Sequence, residues 1–142
     1  KESQHQIVLF GGGEKEIIHL NSFEKEFSTV INTAGKLNFT EELALISNLD
    51  IMISMDSGNG HLAAMYGIPV ISLWGVTHPF AGFSPFGQPK ENSLLADINK
   101  YPLLPTSIYG NTYPQEYENV MESITPEEGV NTVNAVLKKG VD

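Results

Sequence analysis

The stretch from Ile51 to Pro79, I-M-I-S-M-D-S-G-N-G-H-L-A-A-M-Y-G-I-P-V-I-S-L-W-G-V-T-H-P, constrains the chain more than any other. An apolar run, Ile51 to Met55, stops at Asp56. Ser57-Gly58-Asn59-Gly60 follows, then the helix-like His61 to Tyr66, which Gly67 ends. Pro69 to Trp74 is a second apolar run and finishes at Gly75. Two near-continuous apolar strands joined through a helix specify a parallel βαβ unit with both sheet faces covered. In such sheets ligands bind beyond the carboxyl ends of the strands. Asp56, Ser57, Gly75 and Thr77 fall at those ends.

The flanking sequence extends the pattern. Ile7 to Phe10 reads as a buried strand, and Gly11-Gly12-Gly13 as a permissive turn. Glu14 to Phe27 places Ile17, Ile18, Leu20, Phe23 and Phe27 at amphipathic-helix spacing. Thr29 to Asn32 is a second strand, and Ala34-Gly35-Lys36 turns the chain. Asn38 with Glu41 forms a capping-box pattern, opening a helix with Leu43, Ala44, Ile46 and Leu49. The order β-α-β-α-β-α-β predicts an α/β fold, a Rossmann-like open parallel sheet in a three-layer sandwich with helices on both faces.

Beyond Trp74 the period is lost. Gly75 to Asn92 is too long for a plain connection and reads as a functional loop. Its Phe80, Phe83 and Phe86 either wall a pocket or, in the preferred reading, at least two of them anchor the loop to the core. Ser93 to Ala96 is a candidate fifth strand, and Asn99 to Tyr117 has no regular pattern. Thr125-Pro126-Glu127-Glu128 starts a last helix with an apolar stripe of Val130, Val133, Val136 and Leu137. Lys138 and Lys139 complement its dipole, and Gly140 is the expected stop.

The 142 residues fit one domain, 1–142. The formal charge is −9, and the eight basic residues are dispersed lysines, which excludes a nucleic-acid groove. The absence of cysteine excludes disulfides and thiolate metal sites and suits a reducing compartment. No run is long enough to span a bilayer. Lys1 to Gln6 lacks the apolar core of a signal peptide, and the strand right after it reads as the start of a domain within a longer protein.

Among the chemical candidates, Asp56 stands either at the ligand edge of the sheet or as a cap on the next helix. Ser57, Gly58, Asn59 and Gly60 lie at that helix start, where free N–H groups bind anions and glycine admits a ligand to the backbone. His61 is placed to donate to a phosphate or hydroxyl, or is an ordinary helix histidine. Glu14 can accept from a sugar diol or is simply a solvated first-turn glutamate. The glycines before it match neither G-x-G-x-x-G nor a P-loop. No spacing suggests a metal site, and no G-x-S-x-G makes Ser57 a nucleophile.

The composite D-S-G-x-x-H-L-A-A from Asp56 to Ala64, G-x-P from Gly67 to Pro69, an apolar strand and G-x-T-x-P from Gly75 to Pro79 resembles family 9 of the glycosyltransferases, the heptosyltransferase group. Gly11 to Glu14 and Ala34-Gly35 resemble it too. The resemblance implies a GT-B fold of two Rossmann-like domains, this chain being the C-terminal, nucleotide-sugar-binding one. It implies that Asp56, Ser57 and Gly58 contact the diphosphate and sugar of an ADP-heptose-like donor, with His61 nearby, and Asn59 at the helix start is counted with them in the nucleotide-sugar site. Glu14, or Glu16 in a shifted register, would hold the ribose. His78 stands where the family commonly has an acidic residue. The resemblance further implies a lipopolysaccharide-type acceptor held by the N-terminal domain absent from this chain, and no catalytic residue within this chain. No metal and no cofactor are expected. The full-length protein is expected in the cytoplasm, with at most peripheral membrane association. Rival readings are half of a GT-B nucleotide-sugar epimerase and a non-catalytic nucleotide-binding module.

Overall fold

A computed structural model describes residues 5–139. The expected helix stop at Gly140, and residues 1–4 of the leading segment, lie outside the described residues. The chain divides into two compact units, residues 1–45 and 46–142.

In the first unit, β1 (Ile7–Leu9) pairs in parallel with β2 (Val30–Asn32), with Ile7 opposite Val30 and Leu9 opposite Asn32. Helix α1 (Glu14–Glu26) crosses between them. Ile17 and Leu20 are half-buried, but Ile18 is 70% exposed, and no residue of α1 is fully buried. The expectation of a buried first strand is corrected: Ile7 is exposed and Val8 and Leu9 are only half-buried, because β1 is one strand of a two-stranded ribbon.

A polar network that sequence reading did not anticipate fixes the turn after β2. Asn32 is fully buried; its amide donates to Asn21 and its Oδ1 accepts from the Ala34 N–H. The Asn32 N–H donates to Glu24 at 2.9 Å, and Lys36 pairs with the same carboxylate at 3.1 Å. The backbone hydrogen bond from Asn32, then that from Lys36, holds the Glu24 carboxyl below the usual range. Gly35 closes the turn at φ 69°, where a side chain would be strained. Helix α2 (Phe39–Ile46) follows, with the reciprocal cap its sequence specifies: Asn38 N–H to Glu41 at 2.8 Å, and Glu41 N–H to Asn38 Oδ1 at 3.1 Å.

The second unit holds the stronger sheet. β3 (Met52–Met55), β4 (Val70–Trp74) and β5 (Ser93–Leu95) are parallel in the order β3-β4-β5. The strands thus form two separate ladders, of two and three strands, where the sequence suggested one sheet. Helix α3 (Gly58–Met65) links β3 to β4, and its buried Ala63 and Ala64 allow close packing. β4 is central: Val70 and Ile71 are fully buried and Trp74 is 1% exposed. Such burial stabilises by about 1.5–3 kcal/mol per large side chain. β3 differs from the expected doubly covered strand. Met52 and Ser54 are buried while Ile53 and Met55 are exposed, because β3 is an edge strand covered on one face.

Gln88 fastens the start of β4. Its side-chain carbonyl accepts from the Val70 N–H at 2.8 Å, and its amide donates to the Ile68 carbonyl at 3.3 Å. Between β4 and this point the loop carries a short 3-10 turn, Pro79–Ala81. The expectation that two of its phenylalanines anchor it is corrected. Phe80 and Phe86 are 90% and 87% exposed, and of the three only Phe83 is half-buried, with its ring 5.8 Å from that of Tyr109.

The irregular segment after β5 has its own core, which its lack of period concealed. Tyr101 and Tyr117 meet edge to face at 5.0 Å and pack with Ala96 and Val120. The final helix α4 (Pro126–Lys139) begins with the expected reciprocal cap, and Lys139 pairs with Glu91 at 3.3 Å. Within its apolar stripe Val130 is exposed, while Val133, Val136 and Leu137 are half-buried. Glu128 accepts from both the N–H and the hydroxyl of Thr125. Those bonds, the backbone one foremost, hold its carboxyl below the usual glutamate range. A depressed value means the cap is complete above the ordinary glutamate pKa of about 4.3 and is lost as pH falls through the lower folded value. We expect the Thr125 and Glu128 amide resonances to shift together in that acid window, and the transition to vanish in Glu128→Gln. Among the described residues no helix is long and apolar enough to cross a membrane.

Candidate functional site

The site is built where β3 hands over to α3. Met55 ends the strand, so Asp56 leaves the sheet at its carboxyl edge and is exposed. Its carboxylate makes no hydrogen bond or ion pair among the described residues. Ser57 occupies the N-cap of α3 in extended conformation, at φ −142° and ψ 160°, yet neither it nor Asp56 caps the helix. The capping alternative for Asp56 is therefore not realised.

Ser54 explains why. Buried in β3, its hydroxyl lies 2.6 Å from the Met55 carbonyl, near enough to donate to it, and 2.9 Å from the Ser57 hydroxyl, a hydrogen bond in which either oxygen can be the donor. The Ser57 hydroxyl is thereby held toward Ser54 rather than toward the first N–H groups of α3. The N–H groups of Gly58, Asn59 and Gly60, in the first turn, have no intrahelical acceptor. They form an electropositive end beside a free carboxylate.

The glycines divide their work. A Cβ on Gly60 would lie 2.9 Å from Ser54 Oγ and 3.1 Å from its Cβ, so Gly60 is required for α3 to sit on β3. A Cβ on Gly58 would meet nothing within 4 Å, so this backbone is open. Asn59 and His61 are half-buried on the same first turn, and the His61 imidazole makes no hydrogen bond among the described residues. Asp56, Ser57, Gly58, Asn59 and His61 thus stand on one strand-to-helix corner of the second unit.

Glu14 belongs to the first unit, as the exposed first residue of α1. Glu16 folds back to accept from the Gly12 N–H at 2.9 Å. That bond puts a carboxylate on the glycine turn, which disfavours a phosphate there, and it leaves Glu14 as the unengaged glutamate.

The G-x-T-x-P segment lies just beyond β4. Gly75 is enclosed, since a Cβ there would clash with the Met121 side chain. Thr77 is buried. His78 caps the following turn, its Nδ1 accepting from the Phe80 N–H at 3.1 Å, and its ring lies 4.3 Å from that of Phe80. Sequence reading passed over Ser54, although a hydroxyl inside the run I-M-I-S-M was its signal. Among the described residues no group of three or more His, Asp or Glu side chains is placed to hold a metal ion.

The chain as a whole is similar to known proteins. The chain is 25% identical over 138 residues to lipooligosaccharide heptosyltransferase 2 of Campylobacter jejuni, covering 94% of this chain and 41% of that protein. It is 45% identical over 51 residues to the lipopolysaccharide core heptosyltransferase OpsX of Haemophilus influenzae, covering 36% of this chain and 15% of the relative. The chain therefore spans well under half the length of these relatives. The crystal structure of a family 9 glycosyl transferase from Veillonella parvula superposes with a TM-score of 0.66 at 19% identity, over 93% of this chain and 36% of that one. This likeness supports the α/β Rossmann-like fold. The profile of glycosyltransferase family 9 (heptosyltransferase) matches residues 1–112, and the chain belongs to that family.

Proposed function

We propose that this chain is the nucleotide-sugar-binding C-terminal domain of a cytoplasmic glycosyltransferase, the donor half of a GT-B enzyme. The whole protein transfers a sugar, a heptose on this reading, from an ADP-heptose-like donor to a lipopolysaccharide-type acceptor held by an N-terminal domain. Membership of the family and the names of its relatives support the reaction class. The observation that carries the site is the free Asp56 carboxylate beside three unengaged N–H groups and an open Gly58 backbone.

The chemistry follows from that pairing. A diphosphate takes the N–H groups of Gly58, Asn59 and Gly60, which compensate its charge without a lysine. The Asp56 carboxylate repels phosphate and accepts hydrogen bonds from sugar hydroxyls. Ser57 adds a hydroxyl at the same corner, able to accept from or donate to the ligand. His61 donates to phosphate or hydroxyl, and Glu14 accepts from the ribose diol. The proton-abstracting group belongs to the N-terminal domain on this reading.

Titrating this chain with ADP tests it. Because the donors are backbone N–H groups, we expect the same Kd with and without chelator, and amide shifts concentrated at residues 56–61. Binding that weakens tenfold or more in chelator, or no shift in that segment, would overturn the proposal.

A further inference from the structure

Ser57 has the backbone of a helix cap and does not act as one. It stands at the N-cap of α3 in extended conformation, from which a serine hydroxyl ordinarily accepts from the N–H of the second or third helical residue. Here those residues are Asn59 and Gly60. Serine is among the strongest caps, so rotation of one side-chain bond is all that separates Ser57 from this role. Its hydroxyl instead lies 2.9 Å from Ser54 Oγ. Ser54 is 6% exposed, which leaves little water to compete for its oxygen. That oxygen is also 2.6 Å from the Met55 carbonyl and faces Gly60, where a Cβ would come within 2.9 Å of it.

We infer that Ser54 is a positioning residue of the anion site: by holding the Ser57 hydroxyl, it keeps the Asn59 and Gly60 N–H groups open to a diphosphate oxygen. The inference rests on the donor reading for the identity of the ligand. Two acceptors can take those N–H groups, the Ser57 hydroxyl and the ligand. A cap formed by Ser57 would satisfy them within the chain, and a diphosphate would then have to displace it. The bond to Ser54 takes away the competitor while leaving the hydroxyl at the corner. Helix α3 thus forgoes its cap, and its first turn stands open before a ligand arrives. Ser54 touches no ligand on this account and acts through Ser57. Burial inside an apolar strand would not by itself select serine here, since alanine occupies the same space without a polar atom to satisfy.

The test compares three variants, Ser54→Ala, Ser57→Ala and the two combined, each ¹⁵N-labelled. Ser54→Ala removes one oxygen and leaves Ser57 free to rotate onto α3. Without ligand, amide exchange at Asn59 or Gly60 should slow by about threefold to thirtyfold, the protection that a serine cap implies. The melting temperature should be unchanged or raised. With ADP, the Kd should weaken by about the same threefold to thirtyfold, because the cap must be displaced. In the Ser57→Ala background the same substitution should alter neither exchange nor Kd, as no hydroxyl is left to cap. A serine that matters for packing alone would act alike in both backgrounds. Unchanged exchange at Asn59 and Gly60 in Ser54→Ala, an unchanged ADP Kd there, or an equal loss in both backgrounds would each overturn the inference. Failure of ADP to bind the parent chain would instead strike the donor reading, and amide exchange would still decide whether Ser54 holds the hydroxyl off the helix.

Discussion

Replacing Asp56 by asparagine should lower donor turnover in the full-length protein by roughly 10- to 150-fold, the range that a lost hydrogen bond to a charged group of about 1.5–3 kcal/mol implies. Stability should move by no more than about 0.5 kcal/mol, as for a surface position without a structural partner. The reason lies in the corner between β3 and α3. Asp56 is exposed, caps nothing and pairs with nothing among the described residues. Asparagine keeps the size and loses the charge, so only an interaction with a ligand is removed. Thermal melts and donor kinetics on the same variant separate the two roles. A lowered melting temperature with unchanged kinetics would place Asp56 among the structural residues.

The second large effect distinguishes two glycines two residues apart. Gly60→Ala should destabilise by about 1–3 kcal/mol, because the new methyl group meets the Ser54 side chain at 2.9–3.1 Å against a strand that cannot retreat. For a chain of this length that is a fall of roughly 3–10 °C in Tm. Gly58→Ala has open space around its Cβ and should leave stability unchanged or raise it by up to about 1 kcal/mol. The same methyl stands in front of N–H groups assigned to the diphosphate, so ADP affinity should fall at least tenfold. If Gly58→Ala binds ADP as the parent chain does, the phosphate is not held against that backbone.

What the sequence made legible was local. The βαβ unit from Ile51 to Trp74 could be read because each apolar run ends in an abrupt polar or glycine stop. Both reciprocal caps, at Asn38 and at Thr125, could be read because their partners lie three residues apart. The Ser54–Ser57 hydrogen bond was missed because it depends on which face of β3 is buried, and β3 alternates where a covered strand was expected. The tyrosine core was missed because Tyr101 and Tyr117 meet across sixteen residues with no period between them. The exposure of Phe80 and Phe86 shows the opposite error. Aromatic identity alone suggests burial, yet the loop geometry turns both rings outward. The break into two ladders has no local signature, since strand pairing is set by contacts distant in sequence.

The Gln88 side chain spanning Ile68 and Val70 has an evolutionary consequence. By mimicking one residue of a neighbouring strand, it ends the influence of the preceding loop on the sheet. Gly82 and Gly87, at φ 89° and 70° with open space around each, flank a stretch held by Phe83 on Tyr109 and by the buried Pro85, with Phe86 turned outward. Substitutions on the exposed side of that stretch, at Phe86, are absorbed before Gln88, while a shift at Gln88 itself would unfasten the first residue of the central strand. A lineage can therefore vary the surface that carries Phe86 without re-solving how the sheet folds.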